Sequence, residues 1–186
     1  VLLSCLACLM CGTLRGAELN TLSDAEQRAG WRLLFDGSTT NGWRNYGGET
    51  VSDGWTIQDG ALTRSEKGAG DIITVDQFDR FELALEFKIS PGGNRGVMYH
   101  VVEQDDAPPY HTGPEIQIQD NAAGTDPQKC GWLYQLYHSP IDATKPAGQW
   151  NHLRIRITPE QCATYMNGVR YARYVKGSAD WNRRVA

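Results

Sequence analysis

Between Gly113 and Asn121 the chain reads Gly-Pro-Glu-Ile-Gln-Ile-Gln-Asp-Asn. In an extended strand, alternation sends Ile116 and Ile118 to one side and Glu115, Gln117 and Gln119 to the other. One carboxylate and two amides in file suit a surface that hydrogen-bonds a polyhydroxylated ligand. The same pattern also describes an ordinary solvated face of an antiparallel sheet. Glu115 is the first candidate for a base and His138 the second; Asp120 follows Gln119 and could orient a hydroxyl with the two amides. Arg95, in Gly92-Gly93-Asn94-Arg95-Gly96, carries a fork of donors suited to a sugar hydroxyl or an oxyanion. It reads equally as a turn residue paired with a surface carboxylate. Tyr99 and Trp132 could offer ring faces to a sugar. His100, His111, Glu115 and His138 are the candidate ligands for a divalent metal, although their spacing matches no recognised ligand signature.

The elements that would position these residues are strands. Phe81, Leu83, Leu85, Phe87 and Ile89 alternate with Glu82, Glu86 and Lys88, which predicts a strand over Arg80–Ser90 with one buried face. Trp55–Gln58 and Ala61–Arg64 flank Asp59-Gly60, a hairpin signal; Asn167-Gly168 sits likewise between Ala163–Met166 and Val169–Val175. Trp31–Phe35, Asp71–Val75, Gly96–Val102, Glu115–Gln119 and Asn151–Thr158 complete the predicted set, with a short helical stretch over Leu22–Ala29. Many short antiparallel strands and almost no helix predict an all-β, two-sheet sandwich of jelly-roll type. Two long connections, Glu103–Gly113 and Asn121–Ala147, carry Pro108, Pro109, Tyr110, His111, Trp132, Tyr134, Tyr137 and His138. Loops of that length in a compact domain tend to be functional.

With 186 residues, 40% hydrophobic and 22% charged, the chain is one globular domain's worth of sequence. A net charge of -4 offers no basic field overall, which argues against nucleic acid as a partner. Twenty glycines with 6 Trp, 8 Tyr and 4 Phe agree with a turn-rich β protein. Residues 1–17 read as part of a secretory or lipoprotein signal, too short for a membrane span, and 18–30 as a linker. Two processing readings fit: lipidation at Cys5 within Leu2-Leu3-Ser4-Cys5, or a plain cut near Gly16–Ala17. Either implies export to the periplasm, cell surface or medium. Cys130 and Cys162 remain outside that segment and read as two separate buried thiols.

Several motifs in order carry a family resemblance. Leu33-Leu34-Phe35-Asp36-Gly37 with Gly42-Trp43, Trp55 with Asp59-Gly60-Ala61-Leu62, Gly92–Val97, Gly113–Asn121, Lys145–Asn151 and Asn167-Gly168-Val169 resemble the 3-keto-disaccharide hydrolase domain family. The resemblance runs from Trp31 to Trp181 and implies a concanavalin A-like jelly roll over 31–186. The family closes with a Gln-Asp-His-Gly-like motif and an Arg-Asn pair, and the chain stops at Ala186 before either, so the domain reads as C-terminally incomplete. The Gly113–Asn121 strand also resembles that of jelly-roll β-glucanases, which retain configuration with two carboxyl groups about 5–5.5 Å apart. Gln117 and Gln119 stand where that pattern has acids. A 3-keto-glycoside is cleaved differently: the ketone acidifies the hydrogen on carbon 2, and proton abstraction followed by elimination expels the aglycone. The resemblance thus implies an oligosaccharide or glycoside substrate, Glu115, His138 and Arg95 as catalytic groups, and Gln117, Gln119, Asp120, Tyr99 and Trp132 as substrate-binding ones. The resemblance fixes no particular cofactor; a divalent metal is the candidate, since it would serve an enolate. The competing expectation is a non-catalytic sugar-binding module on the same sandwich.

Overall fold

The computed structural model describes residues 19–186; the lipidation and signal expectations at Cys5 and residues 1–17 lie outside them. Two compact units divide at Val75/Asp76.

In the first unit Ser23 caps helix α1 (Asp24–Arg28). Its hydroxyl accepts from the Glu26 amide while Glu26 reaches back to the Ser23 amide, satisfying two donors at the helix start. Strands β1 (Trp43–Asn45) and β4 (Ile72–Thr74) pair antiparallel, as do β2 (Trp55–Gln58) and β3 (Ala61–Arg64). Asp59 and Gly60 both adopt positive φ, 51° and 72°, the backbone a two-residue hairpin needs. Trp31–Phe35 is not a strand. It finds no ladder partner, and the Leu34 carbonyl instead accepts the Trp43 indole N–H. β1, which sequence periodicity did not reveal, takes its place in the count.

The second unit is built on a four-stranded antiparallel sheet in the order β10–β9–β8–β5: β5 is Phe81–Phe87, β8 Asn151–Ile157, β9 Cys162–Met166 and β10 Val169–Tyr174. A hairpin of β6 (Asn94–Met98) and β7 (Glu115–Gln119) forms the other layer. Leu153, Ile155, Ile157 and Met166 from the sheet meet Ile116, Ile118, Val97 and Leu133 in one core cluster. β6 starts two residues before Gly96 and ends at Met98, because His100 takes φ 53° and turns the chain out of the ladder. A second helix, α2 (Ala179–Val185), escaped the sequence reading. Ser178 caps it, and Trp181 stacks on Tyr137 and Tyr174, with ring centroids 6.4 and 5.4 Å apart. Asn151, buried, accepts from the Lys145 amide at 2.7 Å and from the Asn167 side chain at 2.8 Å; the Lys145–Asn151 motif is thus a device that ties loop to hairpin. Cys130 and Cys162 are separate buried thiols. The architecture is the all-β antiparallel sandwich expected. Among the described residues no helix is long and apolar enough to cross a membrane.

Candidate active site on the β6–β7 hairpin

β7 alternates as its sequence dictates. Ile116 and Ile118 enter the core, and Glu115, Gln117 and Gln119 occupy the opposite face. A third run widens that face: Leu133 bridges to Ile116, the Gln117 backbone N–H donates to the Trp132 carbonyl at 2.9 Å, and the Tyr134 backbone N–H donates to the Glu115 carbonyl at 2.8 Å. This places Trp132 and Tyr134 beside Gln117 and Glu115, on the same side of the sheet.

Across the hairpin, Gly96 pairs with Gln117. A Cβ on Gly96 would lie 2.5 Å from Glu115 Cδ and 2.6 Å from its Cγ, so the Glu115 side chain occupies the space a residue at 96 would otherwise fill. Gln117 is 1% exposed. Its Oε1 accepts from the Ile118 amide at 3.1 Å, and its Nε2 has no hydrogen-bond partner among the described residues. A buried amide donor without a partner costs about 1–3 kcal/mol. Gln119, 2% exposed, donates through Nε2 to the carbonyls of Asp126, at 3.0 Å, and Gln128. It fastens the following loop rather than facing a cleft. That loop returns Asp126 to the site: Tyr134 donates its hydroxyl to Asp126 Oδ2 at 2.9 Å. This bond, with burial and the negative charges of Asp126 and Glu115, holds the Tyr134 phenol above its ordinary value. It remains a protonated donor at neutral pH.

The other expected residues separate. Asp120 accepts from the amides of Gly92 and Ala122, each at 3.0 Å, and these bonds lower its pKa. Both its oxygens are committed to the backbone, so it supports the loop rather than a substrate. Arg95 pairs with Ile118 and so stands on the core-side face of the hairpin, across from the Glu115 face; its guanidinium donates to the Asn94 carbonyl. Tyr99 offers no ring face: it is 5% exposed, with its hydroxyl 2.6 Å from that of Tyr174 and Phe81 and His100 edge-on to its ring. Trp132 does reach the site's side, and exposed His138 tilts over it with ring centroids 5.1 Å apart. His100 is engaged elsewhere, Nε2 with the Asp79 carbonyl at 2.8 Å and Nδ1 with Lys176 Nζ at 3.0 Å. His111 lies in the 3-10 turn Pro109–His111 against Tyr110. Among the described residues no three His, Cys, Asp or Glu side chains gather as a metal-ligand group, so His100, His111, Glu115 and His138 do not form the donor set considered from the sequence.

Glu115, Gln117, Trp132, Tyr134 and Asp126 are therefore the assembled constellation. Sequence reasoning missed Tyr134 and Asp126 as partners. The alternation Trp132-x-Tyr134 was the available signal, but only the pairing with β7 shows which face it joins.

The comparisons with known proteins agree with this fold. A model of the 3-keto-alpha-glucoside-1,2-lyase-like domain matches residues 30–186. A 3-keto-disaccharide hydrolase of Bacteroides thetaiotaomicron is 32% identical over 169 residues, covering 78% of this chain and 58% of the relative. The chain thus spans less than two thirds of that relative's length. A crystal structure of a candidate glycosyl hydrolase from Parabacteroides distasonis is similar with a TM-score of 0.81 and 30% identity, over 89% of this chain and 81% of that one. Another from the same organism, at TM-score 0.57 and 20% identity over 74% of this chain and 62% of that one, shares the fold.

Proposed function

The chain belongs to the 3-keto-alpha-glucoside-1,2-lyase-like domain family, and from that premise we propose that it cleaves the glycosidic bond of 3-keto-glycosides or 3-keto-disaccharides by proton abstraction at carbon 2. In this reading Glu115 takes the proton from carbon 2, and the electron pair moves onto the oxygen at carbon 3 as an enolate. We assign the unpartnered Nε2 of Gln117 as the hydrogen-bond donor to that oxygen; it is buried in the free protein, so this role requires substrate binding to uncover it. The enolate then expels the aglycone oxygen from carbon 1, which takes a proton from the Tyr134 hydroxyl. The product is a 3-keto sugar unsaturated between carbons 1 and 2; water then adds its oxygen at carbon 1 and gives a proton back to Tyr134, while Glu115 returns its proton to carbon 2, which completes hydrolysis and restores both groups. Trp132 lies beneath the ring, with His138 above its edge.

The observation that carries this reading is the Glu115 carboxylate lodged over Gly96, on a strand whose next two positions on that face are amides. A retaining glycosidase needs a second carboxyl about 5–5.5 Å away. On this strand the positions that would supply one are Gln117 and Gln119, and Asp120 is bound to backbone amides. Elimination needs one base. No step is routed through a metal, since the candidate ligands do not converge. Export, expected from residues 1–17, belongs to the same proposal and places the enzyme where extracellular glycosides arrive.

The test is turnover by the full-length chain of a chromogenic 3-keto-glucoside beside its unoxidised parent. Release from the keto compound alone is the expected result. Release from the parent would mean an ordinary glycosidase, and sugar binding with no release from either would mean a binding module.

A further inference from the structure

The outer face of the four-stranded sheet carries a charge pattern that the hairpin site does not use. Residues opposite one another in the ladders share a face. The registers align Ala84, Arg154, Tyr165 and Arg170 in one row and Glu82, Arg156, Ala163 and Arg173 in the next. Four arginines thus stand in two pairs on β8 and β10, flanking a central column of Tyr165 and Ala163 on β9. All four are exposed, whereas Ala163 beneath them is 0% exposed.

A strict two-residue alternation would put Arg170 and Arg173 on opposite faces, because they are three residues apart. The register shift between Arg170 and Ala172 absorbs Tyr171 as an extra residue and returns both arginines to the outer side. The β10 side of the face is not balanced by acids. Glu82 is paired with Arg154 and lies opposite Arg156, whose charge also acts on Glu160, whereas Arg170 and Arg173 are in no ion pair among the described residues. Like charges on one face of a sheet repel, here across the intervening β9. They do so here in a protein whose net charge is -4, so the patch runs against the composition of the whole chain.

We propose that this face is a docking surface for an acidic, uronate-bearing polysaccharide. Guanidinium groups bind carboxylates through two parallel N–H bonds, which an ammonium cannot reproduce. Neighbouring strands are about 4.8 Å apart, so the arginines of β8 and β10 face each other across roughly 10 Å with Tyr165 between them. That spacing lets a sugar ring rest on the tyrosine while flanking carboxylates reach the guanidinium forks. A flat anionic membrane would need charge but not a half-buried aromatic at the centre. The surface lies on the other layer of the sandwich from the Glu115 site, so it would hold the enzyme on a glycan without occupying the site.

The experiment measures binding of the full-length chain to polygalacturonate, to neutral dextran and to phosphatidylglycerol vesicles, across a salt series. Expected are salt-sensitive binding to polygalacturonate and little to dextran. An Arg170→Gln/Arg173→Gln double variant should bind roughly ten-fold more weakly. Arg170→Lys/Arg173→Lys and Tyr165→Ala should each weaken polygalacturonate binding several-fold, the first because it keeps charge but loses the fork. Circular dichroism confirms that each variant is folded. Equal retention on dextran, preference for the vesicles, or wild-type binding by the Gln variant would each overturn the proposal. Turnover of the keto-glucoside, read in parallel, reports on the Glu115 site alone, so the two readings fail separately.

Discussion

Gly96 is a glycine for reasons of space. Its φ is not among the positive values in the chain, and glycine inside a strand weakens the strand. What its missing side chain provides is the niche in which the Glu115 carboxyl lies. Gly96→Ala is therefore expected to displace Glu115 and lower kcat at least ~10-fold. Stability should change by less than about 1 kcal/mol, because the far end of Glu115 can swing away. Parallel measurements of kcat and thermal midpoint check this; an unchanged kcat would detach Gly96 from the chemistry. Glu115→Gln keeps the shape and removes the base, so turnover should fall by roughly 10²–10⁴ while binding of a non-cleavable glycoside persists in a titration. If turnover survives, the proton is taken elsewhere, and His138 beside Trp132 becomes the residue to change.

Short elements in this molecule are held by what they touch. The seven residues of α2 are too few to be stable alone. Trp181 stacks on Tyr174 and Tyr137, Tyr137 donates to Asp180 at 2.7 Å, and the Arg184 guanidinium lies 4.4 Å from the centre of the Tyr137 ring. Trp181→Ala empties the middle of that stack and is expected to cost about 3–5 kcal/mol, as deletions of large buried aromatics do. Denaturant unfolding measures it, and a loss under 1 kcal/mol would show the helix to be ornamental to the core. Helix α2 was not legible in the sequence because Asp180, Asn182, Arg183 and Arg184 give it little apolar periodicity. Its one buried residue is that tryptophan. The strongly alternating β5 and β8 and the Asp-Gly and Asn-Gly hairpins were legible for the converse reason: local pattern and turn geometry there agree with the tertiary arrangement.

For the whole molecule, stability should be bounded by pH on both sides. Asp36 accepts from the Thr39 hydroxyl and the Ser38 and Thr39 amides, which hold its pKa down at about 2, and Asp120 is lowered by the amides of Gly92 and Ala122. Depressed carboxylates stabilise the fold above their unfolded value of about 3.9, and that stabilisation is lost as pH falls below it. Burial acts in the other direction on Tyr171, raised to about 12, and Cys130, raised to about 11. Their contribution is intact below the ordinary thiol and phenol values and is lost as pH rises through 11–12. Thermal midpoints should be level from about pH 5 to pH 8 and decline on either side; a midpoint still rising at pH 10 would contradict the alkaline arm. The acid arm was hidden in the sequence, since nothing in Asp36-Gly37-Ser38-Thr39 says how many donors will converge on one carboxylate. By itself the sequence determined the all-β class, most strand positions and the strand that carries Glu115, because period-two burial and two-residue turns are local physics. Only the tertiary structure decided which side chains meet. Pairing of residues 131–134 with β7 brought Tyr134, and Asp126 bonded to it, to the Glu115 face, register put Arg95 on the other face, packing closed over Tyr99, and one bulge in β10 put Arg170 and Arg173 on the same surface as Arg154 and Arg156.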